Sequence, residues 1–246
     1  MAVRVATWNV NSLRVRLPDV LALQETKLTD PDFPHHEFEA QGYHSIASGQ
    51  RTYNGVALLS RSACAAVVTS IPGFDDAPRR VLAASINGLR VINLYVPNGQ
   101  SVGSEKYAYK LRWLVALDAW LRSEAREHEH LVVVGDFNIA PEDRDVHDPA
   151  KWVGSVHVSE AERSALRGLV SIGLVDVFRL FDQPPGTFSW WDYRGGSFRR
   201  NNGLRIDLIL AGAALAARCT SSNIDPEPRR AARPSDHTPV IATFDI

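Results

Sequence analysis

Short apolar runs that stop abruptly on an amide or a carboxylate constrain this chain more than any other feature. VRVATW stops on Asn9, and DVLAL stops on Gln24, Glu25 and Lys27. VINLYVPNG delivers Tyr95 and Asn98, LVVVGDFNIAP delivers Asp136 and Asn138, and LRIDLIL embeds Asp207. RPSDHTPVIATF opens on Asp236 and His237. Runs that stay apolar at consecutive positions, rather than alternating, belong to strands covered on both faces. A carboxylate placed at the edge of such a run is costly unless something pairs it. Several such groups on one chain therefore point to a shared partner.

The strand runs VRVATW, VLALQ, NGVALLS, VLAASI, LRVINLYV, HLVVVGDF, LRIDLILA and HTPVIATF are bounded by Gly, Pro and Asn. Asn87-Gly88, between two of them, signals a hairpin. Two stretches read as helix. In the first, Ser104 is the N-cap and Tyr107, Leu111, Leu114, Leu117 and Leu121 share a stripe. In the second, Ser159 and Glu162 form a capping box and Gly173 is the stop. Many strands, few long helices and direct strand-to-strand joins predict an α/β sandwich of mixed sheets with helices outside, in a single domain over residues 1–246. Substrate contacts are expected on the long irregular stretches 30–42, 143–158 and 183–202.

Bulk properties exclude several classes. No run approaches the roughly 18 apolar residues of a membrane span. No secretory or lipidation pattern precedes the first strand, so a cytoplasmic, monomeric protein is expected. Cys64 and Cys219 make neither a disulfide framework nor a zinc spacing. A net charge of -1 does not announce nucleic acid. Any such surface must be a local patch, and arginines cluster at 79–80, at 199–200 with Arg205, and at 229–230 with Arg233, although each cluster alone also suits a solvated surface.

The chemistry follows from the ligand types. Glu25, Asp136, Asn138 and Asp236, with at most one histidine and no cysteine, form a hard oxygen set that suits Mg2+, or Mn2+ in its place, better than zinc. Magnesium commonly meets phosphate oxygens, so phosphoryl transfer to water is the implied reaction. No single motif decides this: Asn after a strand is commonly a turn former, and Asp207 needs only a donor such as a histidine.

In this order, WNVNSLR, LQETK, NGVALLS, APRRVL, YVPNG, GDFNIAP, FSWWDYR, GLRIDLIL and PSDHTPV resemble the exodeoxyribonuclease III family of magnesium-dependent abasic-site endonucleases, within the DNase I-like fold. The resemblance runs from Val3 to the C-terminus and implies a four-layered α/β sandwich with the active site at one edge of two packed sheets. It implies Glu25 as the principal magnesium ligand, with Asn9 and Asn11 beside it and Asp236 near the ion. Asp136 takes the place of the residue that activates water, although a metal hydroxide is an open alternative. Asn138 contacts the phosphate, with Asp136, Asn138 and His237 also within reach of metal; Tyr95 lies against the scissile phosphate, and Asp207 holds His237.

Lys27, Arg79, Arg80 and Asn98 match DNA-backbone contacts, and Trp190, Leu204 and Ile206 match the wall of a pocket for a flipped-out abasic sugar, though these three also suit a core. His147 is a candidate for the pocket rim; His44 and His157 read as structural or exposed. The implied activity is incision of double-stranded DNA 5′ to abasic sites, with 3′-end processing in base excision repair. The alternatives are a phosphatase of the same fold acting on small phosphorylated substrates, and a non-catalytic DNA-binding protein. In one place the chain departs from the family: a helix normally separates WNVN from LQET, and here the link is so short that the helix is expected to be absent or reduced to a strap.

Overall fold

The structure, a computed structural model, describes residues 2–10 and 19–246. The expectations for Asn11 and for the shortened link therefore lie outside the described residues. Among those described, the strands form two six-stranded sheets. The first runs β11 (Cys219–Ile224), β12 (Val240–Asp245), β1 (Ala2–Asn9), β2 (Val20–Gln24), β4 (Val56–Ser60), β3 (His44–Ser48). The second runs β5 (Ala65–Val68), β6 (Val81–Ile86), β7 (Leu89–Tyr95), β8 (Leu131–Asp136), β10 (Asp207–Gly212), β9 (Leu174–Asp176).

Each sheet contains one parallel pair, β1 with β2 and β7 with β8; every other pairing is antiparallel. The sheets are thus mixed, as expected. All eight strands read from the sequence are present. The four it did not reveal, β3, β5, β9 and β11, are the four edges. Their sequences, HSIAS, AAVV, LVD and CTSSNI, are short or polar, and their burial patterns are partly open. Edge strands are kept polar because an apolar edge invites pairing with another chain. By contrast β2, β4, β7 and β8 are buried at every position, which is why they read as unbroken apolar runs.

Between the sheets, Val5, Val20, Ala22, Val56 and Leu58 of the first meet Leu82, Val91, Val132, Val134 and Ile209 of the second. On the far side of the second sheet, α2 (Glu105–Glu127) packs Trp113, Leu114, Leu117 and Leu121 on Ile92, Leu94 and Val133, joined by Leu166 and Leu169 of α4 (Glu160–Val170). On the outer face of the first sheet, the segment with α1 (His35–Glu39) lays Phe33 and Phe38 over Leu21, Leu23 and Leu59. Four layers result. Within residues 30–42, Phe33 and Phe38 thus cover a sheet face. Helices α3 (Pro149–Trp152) and α5 (Ala213–Ala216) are single turns.

The caps are as expected: Ser104 accepts from the Tyr107 amide, and Ser159 with Glu162 closes a capping box. The stripe on α2 differs. Leu111 is only partly buried, while Lys110, Trp113, Trp120 and Glu124 are inside. Lys110 is wholly enclosed, and its ammonium donates to Glu162 Oε1 at 2.5 Å, Asn138 O at 2.7 Å and Asn98 O at 3.2 Å. Removing one partner of such a pair strands the other charge. Lys110→Met should therefore cost about 3–5 kcal/mol in urea unfolding, and Lys110→Met with Glu162→Gln, which removes the stranded charge and keeps a carbonyl oxygen for the cap, should cost less than Lys110→Met alone.

Candidate active site

Inward and outward side chains alternate along each strand. On β1 the inward set is Val5, Thr7, Asn9; on β2 it is Val20, Ala22, Gln24; on β7 it is Val91, Asn93, Tyr95; on β8 it is Val132, Val134, Asp136. At one end of the sandwich the space between the sheets therefore changes from apolar to polar. Asp207, the first residue of β10 rather than an internal one, faces the same end.

Asn9 sits at the centre, 3 % exposed. Its Nδ2 donates to Glu25 Oε1 at 3.1 Å and to Asp136 Oδ2 at 3.1 Å, so one neutral amide spaces two carboxylates. Tyr95 donates its hydroxyl to Glu25 Oε1 at 2.7 Å, and Lys27 Nζ stands 2.9 Å from Glu25 Oε2. His237 Nδ1 lies 2.9 Å from Asp207 Oδ2 and its Nε2 lies 3.7 Å from Asp136 Oδ2. Ser189 Oγ donates to the same Asp207 oxygen at 2.6 Å and accepts from the Ile206 and Asp207 amides. Ser235 Oγ donates to Asn9 O at 2.7 Å and accepts from the His237 amide.

Three site residues adopt a left-handed backbone conformation. Glu25, Lys27 and Asn138 have φ of 53°, 55° and 51°. Non-glycine residues pay for that conformation, and it recurs where a side chain must be aimed. Alternation along an extended strand would put Asp136 and Asn138 on one side of it. The strand instead ends at Asp136, and a turn closed by the Asn138 amide on Asp136 Oδ1, 2.9 Å away, brings the two together. Gly135 is required because a Cβ there would lie 1.9 Å from Leu94 O on β7.

Electrostatics separate the groups. Burial pushes the Asp136 carboxyl up to about 7, against the pull of His237. Burial would lower His237, but the charges of Asp207 and Asp136 carry it up to about 10, so the ring is a cation at neutral pH. Burial, reinforced by Glu25 and Asp136, raises Tyr95 far above its usual value and keeps the phenol neutral. Burial raises Glu25, but the hydrogen bonds from Tyr95, Lys27 and Asn9 outweigh it and hold the carboxylate below its usual value.

Two groupings offer metal ligands. Asp136, Asp207 and His237 bring ligand atoms within 4.8 Å of one another, but one Asp207 oxygen already serves Ser189 and His237, and a cationic imidazolium occupies the centre. Glu25 and Asn9 fit a hard divalent cation better. Glu25 is only part-buried and its donors are oxygens, and a cation bound there would displace the Lys27 ammonium from its outer oxygen. Asp236, also part-buried, is held by Trp190 Nε1 at 3.1 Å.

The remaining expected residues divide. Arg80 reaches back, donating to Tyr95 O and lying 4.8 Å over the Tyr95 ring, so it braces Tyr95; Arg79 is exposed. Asn98 is exposed and donates to Asn138 Oδ1 at 3.3 Å. Trp190 is part-buried, while Leu204 and Ile206 are 0 % and 2 % exposed and pack behind it. They form a buried cluster with Ala140 and Val146, and Trp190, bridged to Leu204, packs against it. His147 stands edge-on to Trp152 at 6.3 Å, on the same margin, and His44 is exposed.

Sequence reasoning missed several residues at the site. His157, read as structural or exposed, is buried against Trp190 at 6.4 Å and meets Asn138 O through Nδ1 at 2.7 Å; burial and Lys110 lower it to about 4. Tyr53, 75 % exposed, tips a loop bonded to Lys27 and Arg79 through Asn54, Gly55 and Gln50. Lys110 could have been found, since a lysine at a buried helix position must serve a buried acceptor. Two arginine clusters lose members: Arg205 is 1 % exposed and paired with Asp145 and Asp176, and Arg229 is enclosed by Trp191, Tyr193 and Phe198.

Carboxylates spaced by an amide, a neutral phenol and a buried imidazolium, gathered at one edge of a two-sheet sandwich, are the equipment of a phosphate-ester hydrolase. The chain belongs to the endonuclease/exonuclease/phosphatase family, whose model matches residues 6–237. It is 34% identical over 262 residues to exodeoxyribonuclease III of Haemophilus influenzae, covering 97% of this chain and 98% of that protein. It superposes on a Neisseria 3′ phosphatase, NExo, solved with a product DNA hairpin, with a TM-score of 0.95, 44% identity and coverage of 99% and 100% of the two chains. An AP endonuclease from Archaeoglobus fulgidus gives 0.90, 40%, and 99% and 100%. The family resemblance and the fold drawn from the sequence are both borne out.

Proposed function

We propose that residues 1–246 form one DNA repair nuclease that uses a divalent cation, Mg2+ or Mn2+, to hydrolyse phosphodiester bonds in double-stranded DNA, incising 5′ to abasic sites and processing blocked 3′ ends. The observation that carries this reading is the convergence of Glu25, Asn9, Tyr95, Asp136 and the Asp207–His237 pair within hydrogen-bond distances at one edge. The names of the similar proteins, an exodeoxyribonuclease, a 3′ phosphatase and an AP endonuclease, support the same range of substrates.

Each residue has a part. A cation held by Glu25 with Asn9 and Asp236 would neutralise charge on the phosphate oxygens. Asp136, ionising near pH 7, accepts a proton from the attacking water as the water oxygen bonds to phosphorus and the bond to the 3′ oxygen breaks, the departing oxygen taking up a proton from solvent to leave a 3′ hydroxyl. The His237 imidazolium and the Asn138 amide donate to the phosphate oxygens, where negative charge grows. Tyr95, braced by Arg80, presents a neutral hydroxyl to the same group. Trp190, backed by Leu204 and Ile206, walls the place of a sugar without a base. Lys27, Arg79, Asn98 and the exposed Tyr53 lie along the approach of the backbone.

A duplex with one abasic analogue, and a second with a 3′-phosphate end, test the reading. Both should be processed with Mg2+ and neither with chelator; failure of both in metal removes the proposal. Binding should weaken steeply between 50 and 200 mM salt, by about 10³-fold or more if six or more phosphates are neutralised.

A further inference from the structure

We infer that Thr7, Gln24 and Asn93 form a polar rung that positions the active site by fixing the two sheets to each other directly beneath it. The inference rests on the nuclease reading and extends it to residues that touch neither substrate nor metal. Gln24 and Asn93 are both 0 % exposed. Gln24 Nε2 donates to Asn93 Oδ1 at 2.7 Å, to Thr7 Oγ1 at 2.9 Å and to Ala22 O at 3.3 Å. Asn93 Nδ2 returns across the interface to Leu23 O and Ala57 O, each at 2.9 Å. An amide from the second sheet is therefore bonded to main-chain carbonyls of β2 and β4 and to the side chain of β2.

The position of the rung gives it a role. Asn93 is two residues before Tyr95 on the same face of β7, and Gln24 is the residue before Glu25. Thr7 is two residues before Asn9 on β1. The contact one step further out is Tyr95 to Glu25, 2.7 Å, also between the sheets. Below the rung the interface is apolar, and apolar packing is non-directional, so it tolerates small sliding of one sheet on the other. Directional bonds to three acceptors across the interface, Asn93 Oδ1, Leu23 O and Ala57 O, do not. The arrangement is also costly: Gln24 Oε1 is buried without a hydrogen-bond partner. Packed apolar residues are often as stabilising as a buried polar group, and specificity of geometry is what polar groups can add.

Asn93→Leu keeps the size and removes the bridge; Gln24→Met removes only the Gln24 donors. Both are expected to melt within a few degrees of wild type and to bind abasic duplex as before. Turnover should fall on the order of 100-fold, the effect of misplacing reacting groups by about 1 Å. Mn2+ affinity of the DNA-free protein, read by calorimetry, should fall about tenfold, as for loss of groups that orient metal ligands. Because the rung acts through the Tyr95 to Glu25 contact, Asn93→Leu should cost less than about threefold in a Tyr95→Phe background. Full multiplicative loss in that background, or turnover and Mn2+ affinity within about threefold of wild type, overturns the inference. So does a large drop in melting temperature in both variants, which would make the rung purely structural. If wild-type protein processes neither abasic nor 3′-phosphate duplex, the nuclease reading fails, while Mn2+ affinity still decides the rung.

Discussion

Asp136→Asn lowers turnover on an abasic duplex by on the order of 10³-fold, within the range for loss of a general base, while DNA affinity stays near that of the unaltered protein. The asparagine keeps the shape and its single oxygen can still accept from the Asn138 amide, which preserves the turn, while the bond from Asn9 to the second oxygen is lost. What the chemistry loses is the capacity to take a proton. Turnover within tenfold of wild type in single-turnover assays would remove Asp136 from that role. The same substitution should change stability in the opposite direction. The folded-state pKa of Asp136 is raised above the ordinary 3.8 to about 7, so ionisation is unfavourable in the folded protein. That penalty is absent below about pH 4 and complete above about pH 7. Asp136→Asn should therefore melt higher than wild type at pH 8, with the gap shrinking towards pH 4.

Asp207→Asn has the second large effect. The carboxylate is the main charge that keeps His237 protonated. Without it the buried ring favours its neutral form, and turnover at pH 8 should fall on the order of 100-fold, partly recovering as the pH is lowered. An unchanged pH profile would show that the imidazolium is not required. On stability the sign is that of a raised base. His237 contributes fully below about pH 6.5 and its contribution disappears as the pH rises through about 10. Breaking the buried pair should cost about 3–5 kcal/mol at pH 7, with a smaller difference near pH 10, read by urea unfolding across that interval.

The strands buried on both faces, β2, β4, β7 and β8, were legible because both environments demand apolar side chains. So were the groups that end them, since Glu25 and Asp136 stand out against such runs. The edges were not legible. TSSNI and HSIAS carry no apolar alternation because solvent, not core, meets half of each. Roles that depend on the partner were also hidden. Arg205 reads like a surface arginine until Asp145 and Asp176 arrive from distant segments, and His157 reads like a loop histidine until Trp190 covers it. Leu204 and Ile206 read equally well as pocket wall or as core, and what separates the two is that Trp190, from a distant segment, packs against the cluster they form. For Asn93 and Gln24 the sequence did hold a signal: an amide inside VINLYV and another closing VLALQ.

The alternation of inward side chains has a further consequence. Each strand delivers its reactive group at a fixed count of residues from the rest of its inward set: Asn9 after Val5 and Thr7, Tyr95 after Val91 and Asn93, Asp136 after Val132 and Val134. One residue inserted within β8 would turn Asp136 towards α2 and bring Gly135 to the centre, with the composition almost untouched. Substitution can thus retune chemistry at the strand ends without disturbing the interior, whereas insertion within the strands cannot. Variation in length is confined to the connections, and what this architecture holds invariant is a count.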